Sequence, residues 1–223
     1  MRCLIFPLSI LICPIAGAAS ISDNLNDKQH ASLTLDYDIH LTNGSSNVTL
    51  SVTNDVTGEV NISIIDADDD SFLAKVQTLI NEQGSEAFAR VDCDVFKKMI
   101  PAKAVSVSND NGNTAYSFKP VPAVDDDPNV FENLTGLAEM TNSANNVLRI
   151  TLSNDATFSP SFGSSISRLT FAIECLPVAD TKTVLKKYNL LIQGSAFLVP
   201  FEERIERTYT NYRPSSSSDV EQK

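Results

Sequence analysis

Leu33, Leu35, Tyr37, Ile39 and Leu41 alternate with Thr34, Asp36, Asp38 and His40, the period-two pattern of a strand with one buried face. Asn43-Gly44 begins a turn, and Val48, Leu50 and Val52 then alternate with Thr49, Ser51 and Thr53. After a second turn over Asn54–Gly58, Val60, Ile62 and Ile64 repeat the pattern against Asn61 and Ser63. Three consecutive strands with short turns predict an antiparallel meander. The period changes at Phe72, where apolar positions Phe72, Leu73, Val76, Leu79 and Ile80 are spaced for one face of a helix. Asp66–Ser71 precede it and Gly84 follows it, giving an acidic start and a glycine stop.

Strands are expected again over Ala87–Cys93 and Ala104–Val107, with Asn111-Gly112 making a hairpin turn into Thr114–Phe118. Residues 120–146, rich in Pro, Asp and Asn, read mainly as a long loop. Val147–Leu152 and Ser167–Cys175 alternate clearly, Thr183–Gln193 fits helix or strand, and Phe201–Tyr209 fits a short charged helix. Together these elements predict a mainly β chain, an antiparallel β-sandwich with one inserted amphipathic helix and a short C-terminal helix. They form a single domain over residues 31–212, preceded by a polar flexible lead-in (19–30) and followed by a serine-rich, disordered polar tail (213–223).

Residues 1–18 differ from all of this. Arg2, the apolar run Cys3–Ile15 and the small-residue site Ala16-Gly17-Ala18 form a secretory signal peptide. The run contains Pro7 and Pro14 and falls short of the roughly 20 apolar residues a membrane span needs. Tyr188–Phe201, the next most apolar window, is also too short and is interrupted by Asn189, Gln193 and Pro200. The mature chain is therefore expected to lack a transmembrane segment and to reside in the lumen of the secretory pathway or outside the cell. Its formal net charge of −11, which becomes more negative once Arg2 is removed, argues against a nucleic-acid partner. Signal cleavage also removes Cys3 and Cys13, leaving Cys93 and Cys175 for one disulfide in an oxidising compartment. Each ends an alternating stretch and should point inward; two buried free thiols are the alternative.

Candidate chemistry is sparse. Asp66, Asp68 and Asp70 have the spacing of a calcium loop, but Ser71 and Gln77 stand where that loop needs Gly and Glu, so helix capping explains the acids better. Asp125–Asp127 reads as a solvated loop. His30 and His40 are too few for a metal cluster, and no nucleophile elbow or zinc-protease motif occurs, so no catalytic, metal or cofactor residues are assigned. Sequons at Asn43, Asn47, Asn61 and Asn133 fall in turns, on polar strand positions and in the long loop, where a chain entering the secretory pathway would be open to glycosylation.

The order of elements resembles the lumenal domain of ER membrane protein complex subunit 10. The features that carry the resemblance are the first strand at Leu35–Leu41, the helix at Phe72–Ile80, Phe88-Ala89-Arg90-Val91 in place of a Tyr-x-Val element, Leu148–Leu152 as a later strand, and Pro200–Glu206 before the family's membrane anchor. This chain departs from the family in ending on a polar tail. The resemblance implies a noncatalytic lumenal subunit of a complex that inserts transmembrane segments, with other subunits of that complex as protein partners. Two alternatives remain: an unrelated secreted glycoprotein acting as a ligand-binding or host-interaction module, and, third, an enzyme using paired carboxylates.

Overall fold

The computed structural model describes residues 35–55, 59–85, 88, 90–110, 112–123, 127–179 and 182–215. The expected signal peptide, the lead-in and residues 216–223 of the expected tail lie outside the described residues.

The chain is mainly β, as its patterning predicts. Among the described residues ten strands pair antiparallel throughout: β1 (Leu35–Thr42), β2 (Asn47–Asn54), β3 (Val60–Ala67), β4 (Val105–Asp110), β5 (Asn113–Phe118), β6 (Leu134–Thr141), β7 (Val147–Asn154), β8 (Ser164–Ala179), β9 (Lys182–Ala196) and β10 (Val199–Pro214). They share one hydrogen-bonded sheet in the order β3-β2-β1-β10-β9-β8-β7-β6-β5-β4, where an ordinary sandwich has two sheets. The N-terminal meander thus attaches to the last strand, β10, through pairs such as Ile39 with Tyr209. Alternating side chains of β1, β2, β7 and β8, including Ile39, Leu50, Ile150, Leu152, Phe171 and Ile173, are fully buried and belong to one core cluster.

The helix α1 (Asp70–Gln83) starts where Asp69 Oδ1 accepts the Phe72 N–H and ends on Gly84, whose φ of 75° suits a residue without Cβ. Phe72, Val76 and Leu79 make its buried stripe. Of the strand expected over Ala87–Cys93, the described residues, Phe88 and Arg90–Cys93, form none. Asp92 makes one bridge to Val184, and Cys93–Met99 is a 3₁₀ helix capped by the Asp92 side chain.

Three further expectations are corrected. The short C-terminal helix is instead part of β10. Phe201, Ile205 and Tyr209 are spaced like a helix face, but Glu203 and Arg207 lie between them on the same face of the strand and break the apolar alternation. The loop over 120–146 contains a helical turn, α2 (Pro128–Phe131), and the whole of β6. β6 escapes a pattern search because its inward positions include Gly136 and Ala138, while Leu137 is half-exposed. A Cβ at Gly136 would stand 2.5 Å from the Phe118 ring, so the position needs glycine for close packing. Finally, β10 continues through Pro214 and Ser215 is buried, so the fold extends past the expected tail boundary at Arg213.

Candidate functional site

On β10, Glu203, Ile205, Arg207 and Tyr209 share the core-facing side, opposite Ile192, Leu190 and Tyr188 of β9. Arg207 sets its guanidinium 5.0 Å from the ring centre of Phe88 and 5.2 Å from that of Tyr188, so two aromatic faces offset its partial desolvation. Burial pushes the Tyr188 phenol above its ordinary pKa, with Arg207 opposing the shift. Burial likewise raises Glu203, opposed by Lys75 of α1, and Glu203 Oε2 has no hydrogen-bond partner among the described residues.

Further along, Asn211 adopts a φ of 55° and bulges β10, so that Tyr37 lies opposite the register shift and approaches both Tyr209 and Tyr212. The Tyr37 hydroxyl donates to the Phe88 carbonyl and the Tyr212 hydroxyl to the Leu185 carbonyl. Burial raises both phenols above their ordinary values, which suits neutral donors in a structural role. The disulfide Cys93–Cys175 fastens the 3₁₀ helix to β8 beside this cluster, and Phe96 stacks against Phe171. The base of the β8–β9–β10 layer is therefore covered and cross-linked.

The opposite end of the same three strands is bare. Pairing of β7 with β8 stops at Thr170, and pairing of β1 with β10 stops at Glu206. Beyond those rungs, apart from one bridge between Phe158 and Ile166, β8, β9 and β10 continue as a three-stranded prong. Its two-residue turn, Phe197-Leu198, has φ of 50° and 71°, the left-handed pair that hairpins usually build from Asn-Gly. Exposure is 70% at Phe197, 96% at Leu198 and 63% at Val199, and 98% at Phe162 in the neighbouring turn. No protein family, curated protein or solved structure matches this chain. The prong, with its uncovered apolar end, is the candidate interaction site.

The residues expected to matter are dispersed elsewhere. Cys93 and Cys175 are joined as expected. Asp69 caps α1, Asp68 accepts the Asn47 backbone and side-chain amides, and hydrogen bonds hold both carboxyls below the ordinary range. Capping and strand tethering thus account for Asp68 and Asp69. Asp127 caps α2, and Asp125 and Asp126 lie outside the described residues. His40 is exposed and meets Thr49 Oγ1. Asn47, Asn61 and Asn133 are exposed and Asn43 is half-buried; the Asn47 amide is engaged by Asp68 and that of Asn133 by the Asn129 carbonyl. A shallow depression of about 380 Å³ lies between Lys119 and Glu132, and another of about 410 Å³ lies under the prong, along Gln193, Gly194 and Phe201.

Sequence reasoning missed the prong. Its signal is the charge-free run Tyr188–Phe201, which is too short for a span but long enough for an exposed apolar hairpin end. No described helix is long and apolar enough to cross a membrane.

Proposed function

We propose that this chain is a noncatalytic binding protein of the secretory pathway, lumenal or secreted, and, on the strength of its resemblance, a subunit of the ER membrane protein complex. The observation that carries the binding role is the prong. Large apolar side chains stand in solvent on a turn whose backbone disfavours them, and such strain persists where function requires it. The carboxylates support a structural reading of the acidic residues: Asp69 and Asp127 cap helices, Asp36 accepts the Asn54 N–H, and Glu174 pairs with Arg149 and Lys186.

The test is affinity purification from the native cell after mild detergent solubilisation. Co-purification of other subunits of the complex is the expected result. Recovery from the culture medium alone, without those subunits, would overturn membership and favour an unrelated secreted binding glycoprotein.

A further inference from the structure

We propose that the end of the prong inserts into the interfacial layer of a zwitterionic lipid bilayer. The proposal rests on the reading of this chain as a binding protein and names what the prong binds.

Charge placement carries the argument. No charged residue occurs between Asp155 and Arg168 on one side of the prong, or between Lys187 and Glu202 on the other. Glu202 lies four positions beyond Leu198 and Arg168 five beyond Gly163, so the charge-free depth is about 13 to 17 Å at the rise of a β-strand. That accommodates the 5–10 Å by which interfacial elements sink into the boundary of headgroups and acyl chains. The first charges, Glu202 and Arg168, would remain in water. A protein pocket would call for charged or polar contacts around the apolar anchor, whereas here each of the two turns presents an almost wholly exposed apolar side chain, Phe162 or Leu198, among uncharged residues.

Within the prong the central strand has its backbone groups paired inside the protein, while the outer edge of β10 over Val199–Ile205 pairs with no described strand and would lie among the hydrated headgroups. β9 is paired on both edges up to Ala196, which lies opposite Ser164 on one side and Val199 on the other. The Phe197 N–H donates to the Gly163 carbonyl at 2.7 Å. The serine hydroxyls are turned onto protein partners, Ser164 Oγ donating to the Ser161 carbonyl, Ser165 meeting Ser195, and Ser167 donating to the Gln193 carbonyl. The acidic chain would be repelled by anionic headgroups. Attraction must then come from apolar burial, which makes zwitterionic lipid the fitting surface.

The chain has no tryptophan, so Leu198→Trp in the full chain supplies a reporter that reads the tip alone. With phosphatidylcholine vesicles its emission should shift to the blue and be quenched by acyl chains brominated near the headgroup. Partitioning read by vesicle sedimentation should weaken at least tenfold in the triple variant Phe162→Ser, Phe197→Asn, Leu198→Gly. That variant places Asn-Gly in the turn that favours it and should melt no lower than the unsubstituted chain. The proposal is overturned by any of three results: the reporter's emission is unchanged by vesicles, it shifts with protein concentration in the absence of lipid because a second copy covers the tip, or it responds only to phosphatidylserine. Failure here leaves the purification of partner proteins untouched, and failure of that purification leaves the lipid response to be measured independently.

Discussion

At its base, the β9–β10 hairpin holds Tyr188, Arg207 and Tyr209 beneath Phe88 and beside the Cys93–Cys175 bridge, whereas at its far end the same two strands hold Phe197, Leu198 and Val199, which are mostly exposed among the described residues. The two ends reverse the usual arrangement of polar and apolar groups. The Arg207 guanidinium has an aromatic face for a partner, and the Tyr37 and Tyr212 hydroxyls each have a carbonyl. Large hydrocarbon side chains face water, on left-handed backbone that costs L-residues about 1 to 2 kcal/mol each. Compensation explains the base within the molecule. At the tip it must come from outside.

The strongest way to break this contrast is to open the base. Replacing Cys93 and Cys175 together by Ser should cost about 4 kcal/mol, because the bridge closes a loop with a sequence separation of 82. Urea unfolding measures this, and a loss below about 1 kcal/mol would mean that packing alone holds the cover in place.

A change at the tip should have the opposite sign. Phe197→Asn with Leu198→Gly is expected to stabilise the fold by about 1 to 2 kcal/mol by relieving the turn. A destabilised variant would show that the tip side chains contribute packing instead of bearing a cost.

The smallest effect falls between the two ends, at Glu203. Burial raises its pKa, so its contribution to stability is fully present below the ordinary carboxylate value and is lost as pH rises through the raised one. Glu206 behaves in the other direction. The Lys187 hydrogen bond lowers its pKa, and its contribution is lost as pH falls through that lowered value. Glu203→Gln should therefore stabilise at pH 7 by a few tenths of a kcal/mol to about 1, since solvent screens a half-exposed group. The gain should vanish below about pH 4, where an ordinary glutamate is itself neutral. A gain that persists in acid would trace to packing in place of charge.

Legibility in the sequence follows the same division. β1 and β2, α1 with its glycine stop, and β7 are readable because each has one face in the core and one in water. β6 is not, since the Phe118 ring takes the space a side chain at Gly136 would fill. β10 is not, since Arg207 and Glu203 occupy core-facing positions where the pattern needs hydrocarbon. The cysteine pair was readable from compartment and parity, although Cys93 reaches the core from a 3₁₀ helix and not from a strand. For the prong the residues were in plain view, and only their exposure was missing.

Local periodicity alone determined the mainly β character, the helix and its caps, and the inward direction of Cys175, because each depends on neighbours a few residues apart. Tertiary structure decided that β10 is a strand joined to β1, that Arg207 meets Phe88 and Tyr188, and that Phe162 and Leu198 share one uncovered end. Those outcomes depend on contacts between residues distant in the chain. The same apolar side chain stabilises a core or seeks another surface according to what the rest of the molecule places over it.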